Sequence, residues 1–283
     1  MSYFDTLYKP CLLDSINIDP RFIIEVNTNL AGDTDNNKFT IRTDSIGDYN
    51  YNYSVEATGN LLNPAQNITG DYILEWDMPG TYDVFIHPNN NLLGFPVFRA
   101  QSPNTVIVPY DSQKITKIKS WGKGLWQSLA RAFMGCFNLE SVDVPYDINA
   151  VEDFRCLRSF QGCSKLTNLK LGFEGNLKIR DITTMFSASG GLAPHQDIFV
   201  DGIEKWDMSE LLNGSAFLLH TRKLINYDEC LIGWNLTLPN QTGAVTNFQF
   251  GTSKLLTPEG IAARTAIVNK GWTINDADGT FEP

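Results

Sequence analysis

With 283 residues, 42% hydrophobic side chains and a formal charge of −10, the chain can bury a sizeable core and lacks the basic excess that engages nucleic-acid phosphates. The acidity is uneven: residues 1–104 hold 5 Lys/Arg against 13 Asp/Glu, a balance of −8, while residues 105–283 hold 17 against 19, a balance of −2. No run approaches the roughly eighteen consecutive apolar residues of a membrane span, so no membrane insertion is expected.

Residues 1–20 read as an arm. Tyr3, Phe4, Leu7 and Tyr8 form an apolar stripe at i, i+1, i+4, i+5 spacing, followed by Pro10 and Asp19-Pro20. Aromatics at that density mark either a contact with a partner or an arm folded back on its own domain. The first nine residues carry neither a basic flank nor an apolar run, so synthesis and folding in a cytoplasm are expected.

From Phe22 to about Ala100 the period is two. Phe22–Val26, Lys38–Arg42, Tyr49–Val55, Tyr72–Trp76 and Gly80–Ile86 read as strands, separated by turn-rich pieces at 32–37, 45–48, 59–60 and 79–80. Short alternating strands at this spacing indicate an all-β sandwich over residues 21–104. Gly94, Pro96 and Pro103 punctuate a link to residues 105–283, which are expected to hold a second, separable core.

Thr105–Pro109 and Lys114–Trp121 follow as strands, and Lys114, Lys117, Lys119 and Lys123 read as a solvated strand face. Trp121-Gly122-Lys123-Gly124 lacks the spacing and the Lys-Ser/Thr end of a phosphate loop. Two lines then match at 27 positions: Ala132–Val144 reads onto Ser159–Leu171. Phe133/Phe160, Gly135/Gly162, Cys136/Cys163, Leu139/Leu166, Val142/Leu169 and Val144/Leu171 recur. A self-match at such a period signals stacked repeats, each too small to bury its apolar face alone. The expected rungs place Phe133 over Phe160 and Cys136 beside Cys163. Near the end, Thr257–Gly271 reads as a helix, with Thr257 as cap, Pro258 and Glu259 in the first turn and Gly271 as stop. It suits a lid over the last rung.

Catalytic signals are sparse. Cys11, Cys136, Cys156, Cys163 and Cys230 form no zinc pattern and are expected as free core thiols. His87, His195 and His220 lack a ligand or triad signature. Asp71, Glu75 and Asp77 suggest an acid pair for glycoside hydrolysis, but alternation puts Glu75 and Asp77 on the solvent side of one strand. The Asn-x-Ser/Thr sequences at Asn52, Asn67, Asn213, Asn235 and Asn240 are incidental without a secretory route. No enzyme, cofactor or metal site is expected.

The pattern F-x-G-C-x-x-L-x-x-L/V-x-L/V resembles the BspA-like leucine-rich repeat family of bacterial surface proteins and some phage proteins. Ile182–Ser187 resembles that family's V-T-N-M-F-x line. Leu231-Ile232-Gly233-Trp234, Phe250–Lys254 and Gly271–Ile274 resemble its closing segment, so the likeness spans about residues 115 to 277. Pro79-Gly80-Thr81-Tyr82-Asp83-Val84 resembles the P-G-T-Y-x-V strand of PKD-like immunoglobulin-type modules, although Ser54–Asn60 stands where that family has its W-G-D-G turn. Together these resemblances imply a mainly β chain: an N-terminal immunoglobulin-like β-sandwich, then a BspA-type leucine-rich-repeat solenoid with a C-terminal capping helix. The function implied is that of a bacteriophage virion protein (decoration, head-fibre or tail-associated), made in the host cytoplasm and displayed on the virion surface. Its arm of Tyr3, Phe4, Leu7 and Tyr8 would bind other capsid or tail proteins, and its repeats a host-surface protein or glycan. It would form a homo-oligomer with no nucleic-acid partner. Two alternatives stay open: a bacterial cell-surface adhesin of the same class, and a carbohydrate-active tailspike-type enzyme, which needs an acid pair in a groove.

Overall fold

A computed structural model describes residues 20–42, 53–88, 110–144, 148–173, 178–187, 197–219, 223–241 and 247–281. Tyr3, Phe4, Leu7 and Tyr8, Cys11 and the strand expected at Thr105–Pro109 lie outside them. The chain is mainly β, with two α-helices among the described residues.

Six strands come first: β1 (Phe22–Asn27), β2 (Lys38–Ile41), β3 (Tyr53–Ala57), β4 (Ala65–Ile68), β5 (Tyr72–Glu75) and β6 (Thr81–Pro88). Alternation sets their faces. In β1, Phe22, Ile24 and Val26 are buried while the residues between them are only partly covered. β4 is absent from the periodicity reading because its Ala65-Gln66-Asn67-Ile68 carries little apolar signal and buries no residue fully. A 3-10 turn, Asp111–Lys114, leads into β7 (Ile115–Trp121). Shorter strands follow: β8 (Ser141–Val142), β9 (Asp153–Arg155), β10 (Asn168–Lys170), β11 (Lys178–Asp181) and β12 (Phe199–Asp201). The chain ends with α1 (Tyr227–Thr237), β13 (Asn247–Gln249), α2 (Pro258–Asn269), β14 (Thr273–Asp276) and β15 (Gly279–Phe281).

One eight-stranded sheet, in the order β12-β10-β8-β7-β1-β6-β3-β4, runs through both parts of the chain. It is antiparallel from β4 to β7 and parallel from β7 to β12. β1 is the seam. It pairs with β6 on one side and with β7 on the other, placing Phe22 opposite Trp121 and Ile24 opposite Ile118. Phe22 stacks on Trp121 at 6.3 Å and meets Trp126 edge-on at 5.1 Å and Phe133 at 6.4 Å. The expectation of two separate cores therefore gives way to one continuous core, because the first strand supplies an apolar face to both parts.

Beyond β7 the backbone winds in turns that hydrogen-bond to one another in register. The N–H of Phe133 donates to Ser159 O, Phe160 to Met185 O, Phe186 to Phe217 O, and Leu218 to Gln249 O, all at 2.8–3.0 Å. This ladder makes Phe133, Phe160, Phe186, Leu218 and Phe250 equivalent, with spacings of 27, 26, 32 and 32 residues. Phe133 stacks on Phe160 at 5.4 Å and Phe160 on Phe186 at 5.7 Å. In the next turn the aromatic moves by one position, so Phe217 meets Phe186 edge-on at 5.3 Å. The first four of these turns also hold a left-handed residue: Arg131, Arg158, Thr184 and Ala216 occupy the same ladder position at φ between 52° and 61°. A second left-handed corner, at Gly135 and Gly162, has φ of 77° and 79°, which suits residues without a Cβ.

The helices close the stack. Gly233 of α1 lies against the backbone of Glu204, where a Cβ would come within 1.9 Å of the carbonyl oxygen, and the Trp234 indole donates to Ile203 O at 2.9 Å. Helix α2 begins at the expected cap: the Thr257 hydroxyl accepts from the Gly260 N–H at 3.0 Å. Buried Asp228 of α1 in turn accepts from the Thr257 N–H at 2.7 Å and its hydroxyl at 2.6 Å. Arg264 grips Asp276 with two bonds of 2.9 Å, and Tyr227 donates to the same carboxylate at 2.6 Å. This buried trio ties α1 and α2 to β14.

Candidate functional site: the outer face of the parallel strands

The register of the parallel strands sorts every side chain. Ile118, Val142, Leu169 and Val200 pair across β7, β8, β10 and β12 and point into the core. Their neighbours must then face outward. Lys117, Ser141, Asn168 and Phe199 make one outward row, extended to Ile225 by the bridge between Ile198 and Leu224. By the same register Lys119, Asp143, Lys170 and Asp201 make a second row, with charge alternating in sign from strand to strand.

A shallow cavity of about 450 Å³ lies on this face, lined by Ser141, Asp143, Asn168, Lys170, Phe199 and Asp201 over the rungs Val142 and Leu169. Phe199 keeps 36% of its surface exposed and Ile225 54%, so the end of the first row presents apolar side chains to solvent. The charges near β1 are already engaged. Lys119 bridges Glu25 at 2.9 Å and Asp83 at 2.6 Å, and Lys117 meets Glu25 at 3.3 Å. Burial alone would raise the Glu25 pKa, but hydrogen bonds from Lys119, Thr116 and Lys117 outweigh it and hold the carboxyl below its ordinary value. Asp143, Lys170 and Asp201 make no ion pair among the described residues, which leaves their polar atoms available to a ligand.

The sequence-derived candidates fall elsewhere. Phe133, Cys136, Leu139, Phe160, Cys163 and Leu166 are all fully buried, inside the stack. The Cys163 thiol donates to Phe133 O at 3.1 Å. Cys136, Cys156, Cys163 and Cys230 are free and buried, and burial pushes the thiols of Cys156, Cys163 and Cys230 well above their ordinary pKa. Such thiols are protonated core groups rather than nucleophiles.

Lys114 corrects the reading of the lysines as one solvated face. It is fully buried, 3.0 Å from Asp111, and donates to Thr34 O and Oγ1, Asp35 O and Lys38 O. The three acids weighed as catalytic each have a surface partner: Asp71 lies 3.8 Å from Arg42, Glu75 4.0 Å from Lys38, and Asp77 accepts from Asn60 at 3.1 Å. Of the histidines, His87 lies in β6, and His195 and His220 lie outside the described residues. Among the described residues no three of His, Cys, Asp and Glu gather as a metal site.

Sequence reasoning missed the outward rows. The available signal was the alternation itself: Val142/Val144 and Leu169/Leu171 are visible as repeated apolar positions, and Asp143 and Lys170 sit between them. No family model, curated protein or solved structure matches the chain.

Proposed function

We propose that the chain is a structural and interaction subunit of a bacteriophage virion, a decoration, head-fibre or tail-associated protein that displays a repeat surface for host binding. In this reading residues 21–104 are a PKD-like, immunoglobulin-like sandwich. Residues 105–283 are a solenoid of BspA-like leucine-rich repeats closed by α2. The arm over residues 1–20 joins the protein to capsid or tail partners, and the subunit works as a homo-oligomer on the virion surface. The observation that carries the reading is the outward face of β8, β10 and β12. It is a broad surface whose backbone is already paired and whose side chains, two turns of the stack apart, converge on one cavity. Such a face is suited to holding a ligand. The hydrogen-bond ladder from Phe133 to Gln249 supports the repeat half, and the alternating burial along β1 supports the sandwich half.

Antiserum raised against the chain, applied to purified phage particles and to washed uninfected bacteria, tests this assignment. Labelling of particles alone is the expected result. Labelling of uninfected cells would replace it with the surface-adhesin reading.

A further inference from the structure

We infer that the cavity over β8, β10 and β12 is a saccharide-binding site, with Phe199 as the stacking platform and Asn168, Asp143, Lys170 and Asp201 as the groups that read hydroxyls. The inference rests on the display reading only in taking this face to be turned outward.

Three features select the ligand class. The first is the donor and acceptor set. Carboxylates only accept, an ammonium only donates, and the Asn168 amide and Ser141 hydroxyl do both. A polyhydroxylated ligand matches that mixture, because each hydroxyl both donates and accepts. A nucleic acid does not: among the described residues Lys170 is the one cation lining the cavity, against Asp143 and Asp201.

The second feature is the partly exposed Phe199 ring beside these polar groups. The negative face of an aromatic ring attracts the polarised C–H face of a pyranose, so a single ring with flanking hydrogen-bonding groups orients a sugar. Ile225 extends the apolar strip by one strand, enough for a second sugar ring.

The third feature argues against a peptide added as a further strand. β8 and β10 are interior strands. The outer edge of β12 is occupied as well: Ile198 N–H donates to Lys223 O at 2.9 Å, Ile225 N–H to Ile198 O at 2.8 Å, and the Asn226 side chain bonds Val200 in both directions. With the backbone saturated, recognition falls to side chains alone.

Saturation-transfer NMR on the full chain tests the site, with cellobiose, maltose, N,N′-diacetylchitobiose and mannobiose as probes and a twelve-residue random peptide pool in parallel. At least one disaccharide is expected to show saturable transfer, weakened about tenfold in Phe199→Leu, which keeps the strand apolar but removes the ring. Asp201→Asn, at an exposed position, is expected to weaken the same sugar while leaving melting unchanged. No transfer from any of the four sugars, or transfer unaltered in Phe199→Leu, overturns the inference. Saturable binding of the peptide pool, lost in Phe199→Leu and without sugar binding, overturns it in favour of a protein ligand. Sugar binding by a chain that antiserum finds absent from particles would remove the virion assignment and leave this site standing.

Discussion

The antiparallel and the parallel parts of the molecule are stabilised in different ways. Among the antiparallel strands the chain is held by single, unrepeated links, above all the buried Asp111–Lys114 pair of the turn before β7, which gathers Thr34, Asp35, Lys38 and Thr40, from the segment after β1 and from β2, around one point. From β7 to β12 the strands are parallel and the same contact recurs: a ring on a ring, a left-handed corner, and an N–H donated to the next turn. The first arrangement concentrates stability in a few polar groups that tolerate no loss. The second spreads it over nearest neighbours, so a defect is felt mainly in the turns beside it.

The largest test of this contrast removes the seam. Residues 105–283 expressed alone lose β1, leaving Ile118 and Trp121 without their partner strand and Trp126 and Phe133 without Phe22. The fragment is expected to lack a cooperative thermal transition. A sharp transition in calorimetry would show that the stacked turns sustain their own core.

Within the stack, Phe160→Ala removes the ring between Phe133 and Phe186 and should cost about 3–5 kcal/mol in denaturant unfolding. A loss under about 1 kcal/mol would mean that the stacked rings are not what joins the turns.

In the antiparallel part, Asp111→Asn leaves the Lys114 ammonium buried with neutral oxygens only. A cost of about 3 kcal/mol is expected, at the low end for a broken buried pair because four oxygen contacts remain. The pH dependence follows from the direction of the shift. Burial tends to raise the Asp111 pKa, but hydrogen bonds from Thr34 and Lys114 outweigh it and hold the carboxyl below 3.8. Its contribution is therefore full above that value and lost as pH falls through the folded pKa. The gap in Tm between wild type and Asp111→Asn should narrow on acidification below that point. A gap that stays constant would show that the carboxylate charge is not what Lys114 needs.

How much of this was legible beforehand depends on where the information sits. The 27-residue match is readable because equivalent turns of a stack ask for equivalent side chains, and Thr257 is readable because a cap is chosen by neighbours three residues away. The later turns are harder to read. There the spacing grows to 32 residues and the aromatic slides from the Phe186 position to Phe217, keeping the column filled while erasing the motif. Asp111 and Lys114 look like ordinary surface charges in sequence, since their partners lie more than seventy residues away.

The sequence by itself determined the period of the strands, the existence of repeated rungs and the helix that follows Thr257, because alternation, recurrence and capping are local rules. Tertiary structure alone decided that β1 joins both parts into one core, that Lys114 is buried, and that Ser141, Asn168 and Phe199 share a cavity. Those facts depend on which strand lies beside which: the 27-residue match sets Ser141 beside Asn168, but the step of 31 residues to Phe199 breaks the period and leaves no trace in the residues that flank it.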